Sequence, residues 1–288
     1  MPQITEVTDA LLRGWPLPSR DGSKYERGQV IVVGGAPASP GAAILAGVAS
    51  LRAGAGRLTL AVGESVASTV AVTVPESAVL PLPESRKKSI DGSAVPAHDE
   101  YERADAVLIG PGLDDADETL DLLDRVIPRL GSKTTVILDA FALGVLPRFR
   151  DSDTLAGRLI LTPNVEEAEL LLGEELGDDL QGVATIARNY GAAVTCFSSI
   201  AGPDGRTWSS RMDTPGLGTS GSGDVLAGVI AGLAARGASL DQAAVWGTHL
   251  HQRAGQLAGY PRGAQGYLAR EICDAIPEAM RELEPDSH

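Results

Sequence analysis

Lysine is scarce: the 288 residues hold four, Lys24, Lys87, Lys88 and Lys133. Lys and Arg together number 24 against 38 Asp and Glu, a formal net charge of -14. Nucleic-acid binding needs clustered cations facing phosphates, so that class is excluded. Two cysteines, Cys196 and Cys273, exclude a disulfide scaffold and a four-cysteine zinc site. No uncharged apolar run reaches the roughly 18 residues of a membrane span. The opening residues are broken by Pro2, Pro16 and Pro18 and lack the apolar centre of a secretion signal. What is present is globular: 43% hydrophobic and 22% charged residues can build a core. A soluble, cytoplasmic protein with neither nucleic-acid nor membrane partners is expected.

Strand-like and helix-like runs alternate through most of the chain. Strands are expected over residues 29–33, 57–62, 105–109, 134–138, 159–161, 192–197 and 207–212. The last two are joined by the turn Gly202-Pro203-Asp204-Gly205. Helices are expected over 42–53, 165–172, 225–235 and 240–258. Such alternation gives an α/β fold, a mostly parallel sheet covered on both faces. Ligands in these sheets bind beyond the carboxyl ends of the strands. Gly34-Gly35, Gly110-Pro111-Gly112, Asp139 and Thr162-Pro163-Asn164 all stand there. Segment 75–96, rich in Pro, Ser and charge, reads as a surface excursion.

The stretch Gly216-Leu217-Gly218-Thr219-Ser220-Gly221-Ser222-Gly223-Asp224 precedes a run that is apolar on nearly all sides. A buried helix starting there would offer free N–H groups and a positive dipole end to an anion. No lysine follows the glycines, so the loop is not a Walker A motif. Its late position excludes a dinucleotide fingerprint, and Gly-Thr-Ser-Gly-Ser lacks the last glycine of a nucleophile elbow. Asp224 fits two roles, a proton acceptor beside the anion hole or a helix N-cap. Asn164 and Glu167 also fit two: oxygen ligands reaching magnesium through water, or a helix capping arrangement. His249 and His251, two apart on a helix, point to different faces and cannot share a metal. His98 and Arg86-Lys87-Lys88 read as solvated, the cysteines as buried, and Trp246 as packed.

Several segments together resemble a known family. They are residues 28–33 followed by Pro40-Gly41-Ala42-Ala43, then Leu51-Arg52-Ala53-Gly54-Ala55-Gly56 and Ile109-Gly110-Pro111-Gly112-Leu113. Leu138-Asp139-Ala140 and residues 218–228 complete the set. The combination is similar to the ADP/ATP-dependent NAD(P)H-hydrate dehydratases, a branch of the ribokinase-like superfamily, over about residues 22–285. The resemblance implies a ribokinase-like three-layer sandwich as one domain over 22–285, with 1–21 an N-terminal extension. It implies dehydration of hydrated NADH or NADPH coupled to ADP or ATP, with Mg2+. It implies that Ala43, Gly112, Asn164 and Asp224 meet the hydrate, and that Asp224 is catalytic. Gly221, Ser222, Gly223, Ser198 and Ser199 would hold the nucleotide, with Asn164 and Glu167 indirect metal ligands. Relatives assemble as homo-oligomers and work with an epimerase, here expected as a separate chain.

Three departures mark this sequence. The family's Thr-Pro-His-x-Gly-Glu reads Thr162-Pro163-Asn164-Val165-Glu166-Glu167. Its Lys-Gly pair falls where Cys196-Phe197-Ser198-Ser199 stands, and the second Asp of its Leu-Asp-Ala-Asp is Phe141. A small-molecule kinase of the same superfamily, or a catalytically weak nucleotide-binding homologue, remain the alternatives.

Overall fold

The computed structural model describes residues 4–283 apart from 19–22, 25, 178, 213 and 261–262. Among the described residues, ten strands form one sheet in the order β1-β10-β9-β8-β7-β6-β5-β2-β3-β4. They are β1 (Ile4–Glu6), β2 (Gln29–Val33), β3 (Arg57–Gly63), β4 (Ser77–Leu82), β5 (Ala106–Ile109), β6 (Thr135–Leu138), β7 (Leu159–Leu161), β8 (Ala192–Cys196), β9 (Ser199–Ala201) and β10 (Thr207–Ser209). Only β9 runs antiparallel to its neighbours, β8 and β10. The central strands are apolar on both faces because both are covered. Val30 and Val32 of β2 face one layer and Ile31 and Val33 the other, all with no exposure.

The first layer contains α2 (Pro40–Arg52), α9 (Ser222–Ala235), α10 (Leu240–Gly259) and α11 (Ala269–Leu283). The second contains α5 (Ala116–Val126), α6 (Phe141–Val145), α7 (Val165–Leu172) and α8 (Asp179–Tyr190). The other α-helices are α1 (Asp9–Arg13), α3 (Glu64–Thr73) and α4 (Asp99–Arg103). The result is the expected three-layer α/β sandwich with a mostly parallel sheet. Helix α9 is almost wholly buried because small residues let it meet α2 backbone to backbone. A Cβ on Gly228 would run into the Ala46 carbonyl, so that crossing requires glycine. Among the described residues, no helix is long and apolar enough to cross a membrane.

Several local expectations are corrected. The excursion at 75–96 opens with β4, an edge strand whose Pro81 pairs opposite Val62. Proline hides strands from sequence reading, yet an edge strand tolerates it. The chain between 192 and 212 makes three strands, not two, and the turn at 202–205 joins β9 to β10. Helix α9 starts at Ser222, three residues earlier than its apolar run suggests. The segment read as an extension is described over 4–18, where it lies against the sheet. There β1 pairs with β10, Trp246 donates to the Trp15 carbonyl at 2.9 Å, and Gln242 donates to the Pro16 carbonyl at 2.9 Å.

Candidate active site

The carboxyl ends of β2, β5, β6 and β7 meet the start of α9. Loop packing there is tight: Gly35 donates to the Pro111 carbonyl at 2.8 Å, and Ala36 to the Gly112 carbonyl at 2.9 Å. A side chain on Gly110 would collide with the Asp139 carbonyl, which the strand end approaches closely. Asp139 follows β6 and is 6% exposed. Thr162, following β7, donates its hydroxyl to Asp139 Oδ1 at 2.8 Å. Burial, then the negative charges of Asp224 and Glu167, push the Asp139 carboxyl up to about 7 against that hydrogen bond. The next residue, Ala140, has φ 48° and ψ -126°. This is a region that only glycine enters freely, and such strain clusters at functional sites.

Helix α9 begins with Gly221 as its N-cap, left-handed at φ 87°, and no side chain caps it. Ser222 donates its N–H back to the Thr219 carbonyl at 3.2 Å. Among the described residues, the N–H groups of Gly223 and Asp224 meet no acceptor. Together with the helix dipole they present donors and positive potential that an anion would meet. Asp224 is therefore not the N-cap; it lies in the first turn, half-buried. Burial pushes its carboxyl up to about 6. A carboxyl so poised is ionised at neutral pH yet has real affinity for a proton.

A cavity of about 810 Å³ opens beside this helix start. Asn164, Phe197, Ser198, Thr219, Ser222, Gly223 and His251 are on its wall. No Lys or Arg is among the described residues lining it. An anionic ligand would be met by N–H groups, hydroxyls and the helix dipole instead. Phe197, 67% exposed, sits at φ 51° in the turn between β8 and β9, where glycine would be unstrained.

The expected site residues divide by place. Gly223, Ser222, Ser198 and Asn164 line the cavity. Ser199 is buried inside β9, paired with Cys196. Gly221 serves as the left-handed cap, its backbone against Leu45 of α2. Ala43 and Gly112 both pack around Gly35 in the glycine-lined loops after β2 and β5. Asn164 and Glu167 form a full capping box: Glu167 N–H to Asn164 Oδ1 and Asn164 N–H to Glu167 Oε2, each 2.9 Å. Burial raises the Glu167 carboxyl. Among the described residues, no three of His, Cys, Asp and Glu cluster as a metal cage.

Two residues of the candidate site are only partly legible in the sequence. Asp139 was visible as a strand end, but its coupling to Asp224 was not. His251 was read only as half of an unlikely metal pair; its ring is on the cavity wall, hydrogen-bonded to Ser222 at 3.0 Å. His249 points elsewhere, to Asp9 at 3.1 Å. His98 is half-buried against Tyr101 rather than solvated, and Lys87 pairs with Asp115 at 3.1 Å. Both cysteines are buried, as expected.

The chain is similar to known proteins over most of its length. A family profile described as NAD(P)H-hydrate dehydratase matches residues 30–278. The chain is 41% identical to the ADP-dependent (S)-NAD(P)H-hydrate dehydratase of Xanthomonas campestris, over 98% of each chain. It is 36% identical to the bifunctional NAD(P)H-hydrate repair enzyme Nnr of Moorella thermoacetica, matching 94% of this chain and 53% of that protein. It thus spans about half the length of that bifunctional relative. Its fold matches the crystal structure of the ADP/ATP-dependent NAD(P)H-hydrate dehydratase from Bacillus subtilis, co-crystallized with ATP/Mg2+. That match has a TM-score of 0.80 and 26% identity, over 98% of this chain and 99% of that one.

Proposed function

The chain belongs to the NAD(P)H-hydrate dehydratase family, and from that premise we propose how its site carries out the dehydration. The enzyme is a lyase that restores reduced nicotinamide from its hydrate at the expense of a nucleotide. The observation that carries the mechanism is Asp224: a half-buried carboxyl, pushed up to about 6, beside two N–H groups without acceptors.

A hydroxyl is a poor leaving group. ADP or ATP supplies the phosphoryl group that makes it a good one, and Mg2+ supplies positive charge on the phosphates. Asp224 accepts the hydroxyl proton as the phosphoryl group arrives. The N–H groups of Gly223 and Asp224 hold the phosphoryl oxygens, preorganised where charge develops. Ser222 and Ser198 add hydroxyls to the nucleotide side, while Asn164 supplies a polar contact to the hydrate. Gly112 would meet the ring along its side-chain-free backbone, with the buried Ala43 packed beneath it against Gly35. Loss of phosphate and of the neighbouring ring proton then restores the double bond.

The residues present fit magnesium in a limited way. Glu167 spends one oxygen on the cap and Asn164 its only one, and no protein cage exists among the described residues. Mg2+ commonly keeps several waters and is held by phosphates and one or two carboxylates. Glu167, with Asn164, is the pair to reach it through water.

The test mixes the protein with hydrated NADH or NADPH, Mg2+ and either ADP or ATP, and follows the absorbance of reduced nicotinamide. A nucleotide-dependent rise is expected. A phosphorylated hydrate that accumulates without that rise would mark a kinase, which shares the first step and stops there.

A further inference from the structure

Ser222 and His251 make a contact that the mechanism above leaves unused. Ser222 opens α9 and His251 lies on α10; they are 5% and 6% exposed, and both are on the cavity wall. Ser222 Oγ stands 3.0 Å from His251 Nε2. The Ser222 N–H is already given to the Thr219 carbonyl, so its hydroxyl proton is its one remaining donor. Two arrangements share this geometry. If the hydroxyl donates to the ring, Ser222 turns only lone pairs to the cavity, and these repel a phosphoryl oxygen. If the ring donates, the hydroxyl proton is free to point into the cavity beside the N–H groups of Gly223 and Asp224.

Burial pulls the His251 ring down to about 4, so at neutral pH one ring nitrogen carries a proton and the other does not. The neighbouring polar residues of α10 are engaged elsewhere. Thr248 Oγ1 is 2.7 Å from Thr195 Oγ1, and Gln252 exchanges hydrogen bonds with Ser210 at 2.8 and 2.9 Å. His251 is the member of this group that reaches the start of α9.

We propose that His251 is a positioning residue: its Nε2–H donates to Ser222 Oγ, and the released Ser222 hydroxyl donates to the terminal phosphoryl group held at the start of α9. The assignment rests on the nucleotide reading of this site. It gives the anion hole a third donor, a side-chain one, in a wall that has no Lys or Arg among its described residues. Such a donor is most useful where negative charge grows during transfer.

The first test is long-range 1H–15N NMR of the full chain, with the His251 ring assigned by its absence from His251→Gln. The Nε2–H tautomer is expected, with a shift when Mg–ADP is bound to saturation. An Nδ1–H tautomer, or a ring indifferent to bound Mg–ADP, overturns the proposal. The tautomer is readable whether or not hydrated NADPH is turned over, so absent turnover by the unmodified chain counts against the functional reading alone.

The second test is kinetic. His251→Leu and Ser222→Ala are each expected to lower kcat by about 100-fold, the low end of what loss of one oxyanion donor costs. The nucleotide KM should change by less than about threefold, since the donor acts mainly on the transferring group. The double variant should lose no more than the worse single one, because the two act as a unit. His251→Gln, which keeps an amide donor, should recover most of the activity. Losses that multiply, or an unaltered kcat in His251→Leu, overturn the proposal. If His251→Leu does not fold, His251→Gln, Ser222→Ala and the tautomer still decide it.

Discussion

Asp224→Asn should separate activity from stability, because the carboxyl that serves the chemistry works against folding. The substitution keeps the shape of the first turn of α9 and removes the proton acceptor. A positioned general base contributes roughly 10²–10⁴-fold. The rate of nicotinamide restoration should therefore fall by about that much, a barrier change of roughly 3–5 kcal/mol. Stability should move the other way. Burial raises the Asp224 carboxyl from 3.8 to about 6 in the folded chain. A raised carboxyl contributes stability fully only below its unfolded value, and that contribution is lost as pH rises through the folded value. Two units correspond to about 3 kcal/mol. Solvent screening at a half-buried site and attraction to the helix N-terminus reduce this to about 1–2 kcal/mol. Asn carries no charge to desolvate, so at about pH 8 the variant should melt a few degrees higher than the parent. Near pH 4 the gap should close. The assay pairs the absorbance of reduced nicotinamide with calorimetric melting at both pH values. Normal turnover would show that Asp224 takes no proton. A lower melting temperature at pH 8 would show that the helix favours the carboxylate more than burial penalises it, and would refute the electrostatic reasoning.

Three other outcomes follow from neighbouring residues. The pH profile of kcat/KM should carry an acid limb near 6, losing about tenfold per unit below it; the limb belongs jointly to Asp224 and Asp139. A profile flat through this range contradicts the role of the pair. Thr162→Val removes the 2.8 Å bond to Asp139. Asp139 should then titrate higher by carboxyl NMR, and the chain should lose about 1–2 kcal/mol in urea unfolding. Ala140→Gly frees a backbone held at φ 48° and should raise the denaturant midpoint, a gain of about 1 kcal/mol; a lowered midpoint would show that the position is unstrained.

How much was legible depended on punctuation. The strand over 159–161 and the helix over 165–172 match the structure to the residue, since Thr162-Pro163-Asn164 separates them and Gly173 closes the helix. β4 was hidden by Pro81, and β9 by having three residues, too few for a period to show. The start of α9 was hidden by its own glycines, which read as loop although Gly223 is helical. In the site, Asp224, Gly223 and Asn164 were visible because they lie in short local patterns. Asp139 needed a partner 85 positions away, and Ser222 one 29 positions away.

By itself the sequence determined the layered α/β architecture and the end of the sheet where chemistry occurs. Both follow from alternation of apolar periods and from glycine at strand ends, which act over a few residues. It also determined that the glycine-rich loop before α9 brings no lysine, so an anion there would have to be met by N–H groups. Tertiary structure alone decided which residue caps which helix. Gly221 took the cap of α9, leaving Asp224 free in the first turn, while Asn164 closed its capping box with Glu167. It also decided that Asp139 lies within reach of the Asp224 charge and that His251 reaches Ser222. Those distances depend on how α9 and α10 pack on the sheet, and close packing of small residues is a property of the whole core.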